Sequence, residues 1–284
     1  MEKSFIVKKR SGEGQEFSPE KLRMSLKRSG ASDVVADEII VEIGKLLYDG
    51  ISTKIIYKKA FGLLRKFVRN SAARYSLKSA IMEMGPSGHP FERLVGEIIH
   101  RLGYKAEVGV TFRGRCVTHE LDVLARNSQE MFMVECKYYN SPGKNCNVQV
   151  PLYIHSRFND VKSVWEARPE NQGLKFSCWV VTNTRFTSDA ADYGKCVGLK
   201  LISWDYPIGG SIRDLIEQMG LFPVTALTTL TRKQKDSLLE ANVILCSHIV
   251  EKPEVLEIIS PDGKKNEKIL AEAIDLCVMY DGDN

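Results

Sequence analysis

Long apolar runs are absent from this chain of 284 residues. No segment approaches the roughly 20 consecutive apolar residues that a membrane-spanning helix requires. The first ten residues, MEKSFIVKKR, also lack the apolar core of a signal peptide. We therefore predict a soluble protein of the cytoplasm that has no membrane partner.

Cysteine pairs at metal-ligand spacing are absent too. The seven cysteines include no Cys-x-x-Cys pair, which argues against a zinc ribbon, and their odd number argues against a disulfide framework. The P-loop motif Gly-x-x-x-x-Gly-Lys-Ser/Thr is likewise missing, so nothing in the sequence resembles an NTPase site. What is present is an ordinary globular composition, with 43% hydrophobic and 27% charged residues.

Positive charge is concentrated in the first third of the chain. Residues 1–85 hold 17 Lys and Arg against 10 Asp and Glu, whereas the net charge of the whole chain is only +4. This excess favours an anionic partner, such as a nucleotide or nucleic acid, although surface solubility alone would also explain it.

Glycine and proline divide the chain into regions. The run Gly-Pro-Ser-Gly-His-Pro at 85–90 interrupts all regular structure, and the length suits two or three domains. We predict a mostly helical domain over 1–85, a domain with a mixed sheet over 90–207 and a small helical region over 211–284. The predicted fold class is multi-domain α/β.

Hydrophobic periodicity predicts the individual elements. In the middle region they follow the order α-β-β-β-α-β-α-β, with helices at 90–102, 147–167 and 187–197 and strands at 104–112, 118–126, 130–138, 176–182 and 199–204. In the first region, a strand at 4–9 precedes a helix that starts at Ser18-Pro19 and further helices at 33–48, 53–69 and 71–83.

The segment Met-Phe-Met-Val-Glu-Cys-Lys at 131–137 carries the sharpest chemical signal. Glu135 and Lys137 lie two residues apart in a strand and so project from the same face. The residues Asn-Ser-Gln at 127–129 can turn the chain back, which would let Asp122 meet Glu135 across an antiparallel hairpin. Two carboxylates and a backbone carbonyl suit Mg²⁺, and a lysine beside them can neutralise charge on a phosphate. A cross-strand ion pair is the simpler alternative.

The middle region resembles the PD-(D/E)XK nuclease superfamily, specifically Mrr-like restriction endonucleases and related Holliday-junction resolvases. The resemblance covers roughly 90–206, and its motifs are Phe-Glu-Arg-Leu-Val at 91–95, Glu-Leu-Asp at 120–122 and Val-Glu-Cys-Lys at 134–137. It implies that Asp122 and Glu135 bind Mg²⁺ or Mn²⁺ and that DNA is the substrate. It also implies that Lys137 serves the attacking water or the transition state, with Glu92 as support.

Several polar residues near this motif have two interpretations. His119 is either an extra site residue or an ordinary histidine of the surface or core. Gln149 and Tyr153 have the Gln-x-x-x-Tyr spacing of some nucleases in the superfamily. His155 and Arg157 either touch DNA phosphate or belong to a solvated helix face.

The first region resembles the ATP-cone, an allosteric nucleotide sensor best known from ribonucleotide reductases. The matching segments are VKKRSG at 7–12, EFSPEKL at 16–22 and DGIST at 49–53. The resemblance implies that ATP or dATP binds as an effector. Its candidate contacts are Val7, Lys9, Arg10, Lys21, Thr53 and Tyr57. The alternative is a basic helical module that binds no small molecule.

These features together predict a nucleotide-regulated, Mg²⁺-dependent DNA endonuclease that hydrolyses phosphodiester bonds. Cleavage of both DNA strands with one site per chain favours a homodimer. The competing hypothesis is a non-cleaving, nucleotide-responsive DNA-binding or regulatory protein with a degenerate nuclease fold.

Overall fold

The computed structural model describes residues 5–9, 12–141 and 143–278, and it confirms the α/β class. Within these ranges a three-stranded sheet is followed by a five-stranded one. The strands are β1 (Ile6–Lys8), β2 (Gly14–Glu16), β3 (Ile51–Ser52), β4 (Lys105–Arg113), β5 (Thr118–Arg126), β6 (Glu130–Lys137), β7 (Lys175–Thr182) and β8 (Lys200–Ile202). The helices are α1 (Pro19–Arg28), α2 (Asp33–Gly44), α3 (Thr53–Phe67), α4 (Arg69–Tyr75), α5 (Leu77–Met82), α6 (His89–Arg101), α7 (Gln149–Glu166), α8 (Ser188–Cys196), α9 (Ile212–Met219), α10 (Arg232–Glu240), α11 (Cys246–Glu251) and α12 (Gly263–Cys277).

The small sheet has the order β2-β1-β3, with β1 antiparallel to β2 and parallel to β3. Three serines begin the helices beside it: the hydroxyls of Ser18, Ser32 and Ser52 each accept a hydrogen bond from a backbone N–H of the first helical turn. The helix predicted to start at Ser18-Pro19 is thereby confirmed. The apolar faces of α1, α2 and α3 pack with Val7 and Ile51 in one core that reaches as far as Ala72.

The single helix predicted over 71–83 is wrong, because the chain forms α4 and α5 with a break at Ser76. The Ser76 hydroxyl donates to the carbonyl of Ala73, and its N–H is shared between the carbonyls of Ala72 and Ala73. A serine that bonds to its own preceding turn in this way competes with regular helical pairing. The apolar side chains of α5 pack in a second core, which also includes Ala73 of α4.

The large sheet has the order β4-β5-β6-β7-β8. The first three strands are antiparallel neighbours, while β6, β7 and β8 run parallel. The predicted order α-β-β-β-α-β-α-β is confirmed. Helix α6 packs against β4, β5 and β6, whereas α7 packs against β7 and α8 against β8. Phe132 and Val134 of β6 face the core on the α6 side, and Met133 faces the core on the α7 side.

The C-terminal region is helical, as predicted, and its helices join the core on the α6 side of the sheet. Phe222 and Leu276 are buried there together with Phe91 of α6 and with Leu77 and Met84 of the α5 segment. One hydrophobic core therefore connects the chain from α5 to α12. None of the helices in the described ranges is long and apolar enough to cross a membrane.

Gly220 provides a test of this packing. It ends α9 with φ 65°, and a Cβ there would lie 2.6 Å from the backbone oxygen of Cys277 on α12. Gly198 has φ 77°, but a Cβ added there would meet no atom within 4 Å, so this glycine isolates the backbone effect. We expect Gly198→Ala to cost about 1 kcal/mol and Gly220→Ala about 3 kcal/mol in the free energy of unfolding, measured with urea. Equal losses would mean that α12 does not pack against α9.

Candidate active site

Asp122 and Glu135 meet at the end of the β5–β6 hairpin, as the sequence predicts. The last registered pair of the hairpin is Val123 with Val134, so these two acids occupy the next opposed positions. The Asp122 carboxylate accepts a hydrogen bond of 2.6 Å from the backbone N–H of Cys136. At the other end, Asn127 closes the predicted turn, because its side-chain oxygen accepts from two backbone N–H groups.

Strand β5 twists at Asp122. Val123 packs in the core on the α6 side, whereas Leu121, two residues away, packs in the core on the α7 side. On the neighbouring strand, Gly109 lies opposite Asp122 and has φ 70°, a conformation that glycine adopts at little cost. At this point of the strand, Asp122 interacts electrostatically with Glu92 of α6 and with Arg157 of α7.

Glu135 is fully buried, and its carboxylate is only partly satisfied. Oε2 lies 2.6 Å from Nη1 of Arg157 and 3.5 Å from Nζ of Lys137. Oε1 has no hydrogen-bond partner among the described residues. Burial, followed by the negative charge of Asp122, raises the pKa of Glu135 to about 7 against the opposing effects of Arg157 and Lys137.

Glu92 approaches the same acids from the start of α6. Its pKa is raised by burial and then by the charge of Asp122, and the nearby His89, with Nδ1 3.4 Å from Oε2 of Glu92, acts in the opposite direction. A Cβ at Gly88 would lie 3.2 Å from Oε1 of Glu92 and 3.7 Å from Cβ of Tyr138. The Gly-Pro-Ser-Gly run is therefore tightly apposed to the site.

Lys137 ends β6 and is held by the end of β7. The Thr182 hydroxyl donates a hydrogen bond to the Lys137 carbonyl at 2.8 Å. The Asn183 side-chain amide accepts a hydrogen bond from the N–H of Tyr139 and donates one to its carbonyl. The Lys137 side chain is 30% exposed, which leaves its ammonium accessible beside a buried carboxylate.

Arg157 lies in the site with its side chain only 13% exposed, so its interpretation as part of a solvated helix face is wrong, whereas its interpretation as a phosphate contact stays a prediction. Besides its bond to Glu135, its guanidinium donates to the carbonyl of Glu120. It also lies 5.6 Å from the ring centroid of Tyr153, one helical turn earlier. The Tyr-x-x-x-Arg spacing in α7 was the available signal, but only the packing of α7 on the sheet shows where Arg157 points.

The two neighbouring histidines bond to residues other than the acids of the site. His119 bonds Asp160 of α7 at 2.8 Å, and Asp160 also accepts the backbone N–H of Cys116, so this pair fastens the β4–β5 turn to α7. His155 bonds the Tyr193 hydroxyl at 2.9 Å. Gln149, like Tyr153, is exposed on α7.

The donor set suits a hard cation, although the described part of the chain contains no cluster of three or more His, Cys, Asp or Glu side chains arranged to hold a metal ion. Asp122 and Glu135 offer oxygen ligands, and burial raises the pKa of both carboxyls. The unpartnered Oε1 of Glu135 is the buried oxygen that a cation would satisfy. Two carboxylates with a backbone carbonyl fit Mg²⁺ or Mn²⁺ when water completes the coordination.

The residues predicted to bind nucleotide are partly brought together. The pairing of Lys8 with Ser52 places Lys9 beside Thr53, which begins α3. Lys9 bonds Glu13 at 3.0 Å, Val7 is buried, and Lys21 lies exposed on α1. Arg10 lies outside the described residues.

Tyr57 follows Thr53 by one turn of α3 and stacks on Tyr75 of α4 with centroids 5.1 Å apart. It therefore faces the helices that lead to α5. A cleft of about 260 Å³ lies there, lined by Tyr57, Glu83 and, from the C-terminal region, Lys235.

Comparison with known proteins agrees with this arrangement. Residues 84–206 match the Mrr_cat family, described as a restriction endonuclease, and residues 222–277 match the C-terminal part of AF1548-like proteins. An uncharacterized protein of Archaeoglobus fulgidus is 32% identical over 180 residues, which are 63% of this chain and 97% of that protein. The chain belongs to the AF1548-like family.

A solved structure supports the same assignment. The crystal structure of AF1548, a protein of unknown function, has 30% sequence identity and a TM-score of 0.54, covering 67% of this chain and 98% of that one. The AF1548-like chain thus contains a restriction endonuclease-like domain of the PD-(D/E)XK superfamily over residues 84–206, followed by its family's C-terminal region.

The Arg157–Glu135 pair can be tested by a double-mutant cycle. Without metal, Arg157→Met leaves a buried carboxylate with less compensation, so we expect a loss of about 3 kcal/mol in unfolding free energy. In a Glu135→Gln background the same change should cost at least about 1 kcal/mol less. Urea unfolding in EDTA measures all four proteins.

Lys162→Met is the matched control. Lys162 lies on the same helix, but its partner Glu166 is exposed and 3.5 Å away, so the loss should be below about 0.5 kcal/mol. Additive effects of Arg157→Met and Glu135→Gln would show that the two side chains do not interact in solution.

Proposed function

We propose that this protein is a Mg²⁺-dependent DNA endonuclease that hydrolyses phosphodiester bonds. The observation that carries the proposal is the buried Glu135 carboxylate, whose Oε1 lacks a partner among the described residues, opposite Asp122 and 3.5 Å from Lys137. Its setting in a restriction endonuclease-like domain makes DNA the expected substrate. Mn²⁺ would fill the same role as Mg²⁺.

Each residue of the site has a distinct role in this proposal. Asp122 and Glu135 would hold the cation, which when bound supplies Lewis acidity to the phosphate. The Lys137 ammonium orients water toward the phosphorus and neutralises charge on the phosphate oxygens as a P–O bond breaks. Glu92 supports the site from α6, and Arg157 orients the Glu135 carboxylate.

The Arg157–Glu135 bond favours one competing function. At 2.6 Å, the guanidinium already compensates one oxygen of the carboxylate. If that bond excludes metal, the domain is a non-cleaving, nucleotide-responsive DNA-binding or regulatory module.

Plasmid cleavage separates these functions. We expect the wild type to nick or cut DNA with Mg²⁺ or Mn²⁺ and to be inactive in EDTA. Lys137→Ala should reduce the rate by a factor of about 100 or more, because charge stabilisation at the phosphate is lost. The measured quantity is the initial rate of loss of supercoiled DNA.

Lys105→Ala is the control, since Lys105 is exposed on β4 and its ion pair is with Glu107, on the same strand. It should cleave like the wild type. Cleavage that Lys137→Ala retains would contradict the assigned site, and a wild type that never cleaves would favour the regulatory function. Cutting of both strands would be expected from a homodimer with one site per chain.

We further propose that the N-terminal region is an ATP-cone that binds ATP or dATP as an effector. Three features support this: the β1–β2 hairpin beside a parallel β3, the neighbouring positions of Lys9 and Thr53, and an α3 start that lacks acidic residues. Exposed N–H groups and lysines at such a helix start suit phosphate.

A continuous set of contacts would transmit the effect of nucleotide binding to the proposed nuclease site. Tyr57 stacks on Tyr75, and α5 follows directly after the Ser76 break. At the end of α5, the carbonyl of Met82 accepts the Tyr138 hydroxyl at 2.8 Å. Tyr138 is the residue after Lys137, so a shift of α5 would reach the catalytic strand.

Isothermal titration with ATP tests the effector proposal. Lys21→Ala and Lys9→Ala should each weaken ATP binding about 10-fold, because a charge-assisted contact to phosphate is removed. Lys45→Ala, at the far end of α2 and paired with Glu42, should bind like the wild type. A wild type that binds no ATP or dATP would favour a basic module without a small-molecule ligand.

A further inference from the structure

Cations from three parts of the chain surround Trp204, just beyond the end of β8. Lys78 of α5 has its Nζ 5.4 Å from the centroid of the indole ring. Arg213 of α9 has its Cζ 6.0 Å from the same centroid. Arg185, which follows β7, is near enough for its charge to act on Lys78, and Lys78, Arg185 and Arg213 are called the Trp204 cluster below.

The carboxylates near the Trp204 cluster are already engaged. Asp205 accepts from Nε of Arg185 at 2.7 Å. Asp214 accepts from Arg28 at 2.6 Å and from the Ser211 hydroxyl at 2.7 Å, while Arg213 is 3.5 Å away from it. Glu217 lies 3.5 Å from Arg28.

Among the described residues, Lys78 has no anion within ion-pair distance, and Arg213 keeps one N–H unpaired beside its contact with Asp214. No hydrogen bond within these ranges reaches Nζ of Lys78, and the unpaired N–H of Arg213 is that of its buried Nε. Burial lowers the pKa of Lys78, and the positive charges of Arg185 and Arg213 lower it further, while Asp205 raises it. The positive charges of Lys78, Arg185 and Arg213 therefore converge at one partly buried position, where a bound anion would be stabilised.

The position of the Trp204 cluster indicates which anion fits. Since β6, β7 and β8 are parallel, they end at the same edge of the sheet as Lys137. Two strand spacings separate β6 from β8, which is roughly 10 Å. A separation of this size falls within the reach of neighbouring backbone phosphates on one DNA strand.

We propose that the Trp204 cluster binds a backbone phosphate of the DNA strand that continues from the scissile phosphate. This inference rests on the proposed function, because DNA must lie across that edge of the sheet. In this proposal, Lys78 of α5 contacts the substrate directly. Movement of α5 would then change DNA binding as well as the catalytic strand.

Fluorescence anisotropy with a short labelled duplex, in EDTA and over a range of salt concentrations, tests the proposal. Lys78→Met keeps an apolar stem on the indole and removes the charge. We expect it to weaken binding roughly 5-fold and to reduce the slope of log K against log salt by about 0.9. Arg185→Gln should act in the same direction, and Lys78→Arg should restore binding.

Lys200→Met is the matched control. Lys200 lies 3.5 Å from the centroid of Trp179 and has a pKa lowered by burial, but it begins β8 level with the middle of β7, away from the strand ends that carry Lys137 and Trp204. It should keep the wild-type slope. An unchanged slope in Lys78→Met, with the variant folded by thermal unfolding, would overturn the proposal.

Two further measurements distinguish other outcomes. If Lys78→Met loses affinity for ATP or tripolyphosphate while its DNA slope is unchanged, the cluster binds a free nucleotide phosphate and the proposal is wrong. Cleavage assays on the same proteins separate the two proposals. A wild type that binds with the expected slope but never cleaves contradicts only the endonuclease function, whereas a cleaving wild type whose DNA binding is matched by Lys78→Met contradicts only the phosphate site.

Discussion

The burial of one carboxylate, that of Glu135, is the constraint on which the candidate site depends. A charged group removed from water is stabilised only by opposite charge, hydrogen bonds or a cation, and otherwise it takes up a proton. Arg157 and Lys137 supply opposite charge beside one oxygen of Glu135. Within the described residues, the other oxygen has no hydrogen-bond partner. The adjacent Asp122 opposes its ionisation, and a cation bound as proposed would offset the repulsion between the two carboxylates.

One shared core joins the C-terminal region to the restriction endonuclease-like domain. Phe222 and Leu276 are buried in the same cluster as Phe91 of α6 and Phe132 of β6. Helix α6 also carries Glu92. By packing on α6, the C-terminal helices therefore help to position Glu92 near Asp122 and Glu135. The same core includes Ala73 of α4 and the apolar residues of α5, so the end of the N-terminal region packs on the α6 side of the sheet.

Much of the fold follows from local sequence signals. The apolar run of β6 and the asparagine turn before it are visible without coordinates, and so is the capping Ser18 of α1. The break at Ser76 is not visible, because the helical periodicity continues across it. Helices α4 and α5 are separated because the Ser76 hydroxyl competes for a preceding carbonyl and because the apolar residues of α5 pack in a second core.

Asp122, Glu135 and Lys137 were accessible to sequence reasoning because strand period and a short hairpin turn are local properties. The orientation of Arg157 was not, since a polar residue on a half-buried helix can face either water or the sheet. The twist of β5 at Asp122 and the convergence of the Trp204 cluster likewise arise only when distant segments pack. The sequence by itself determined which groups a hairpin would align, while the tertiary structure decided which charges had to share a buried space.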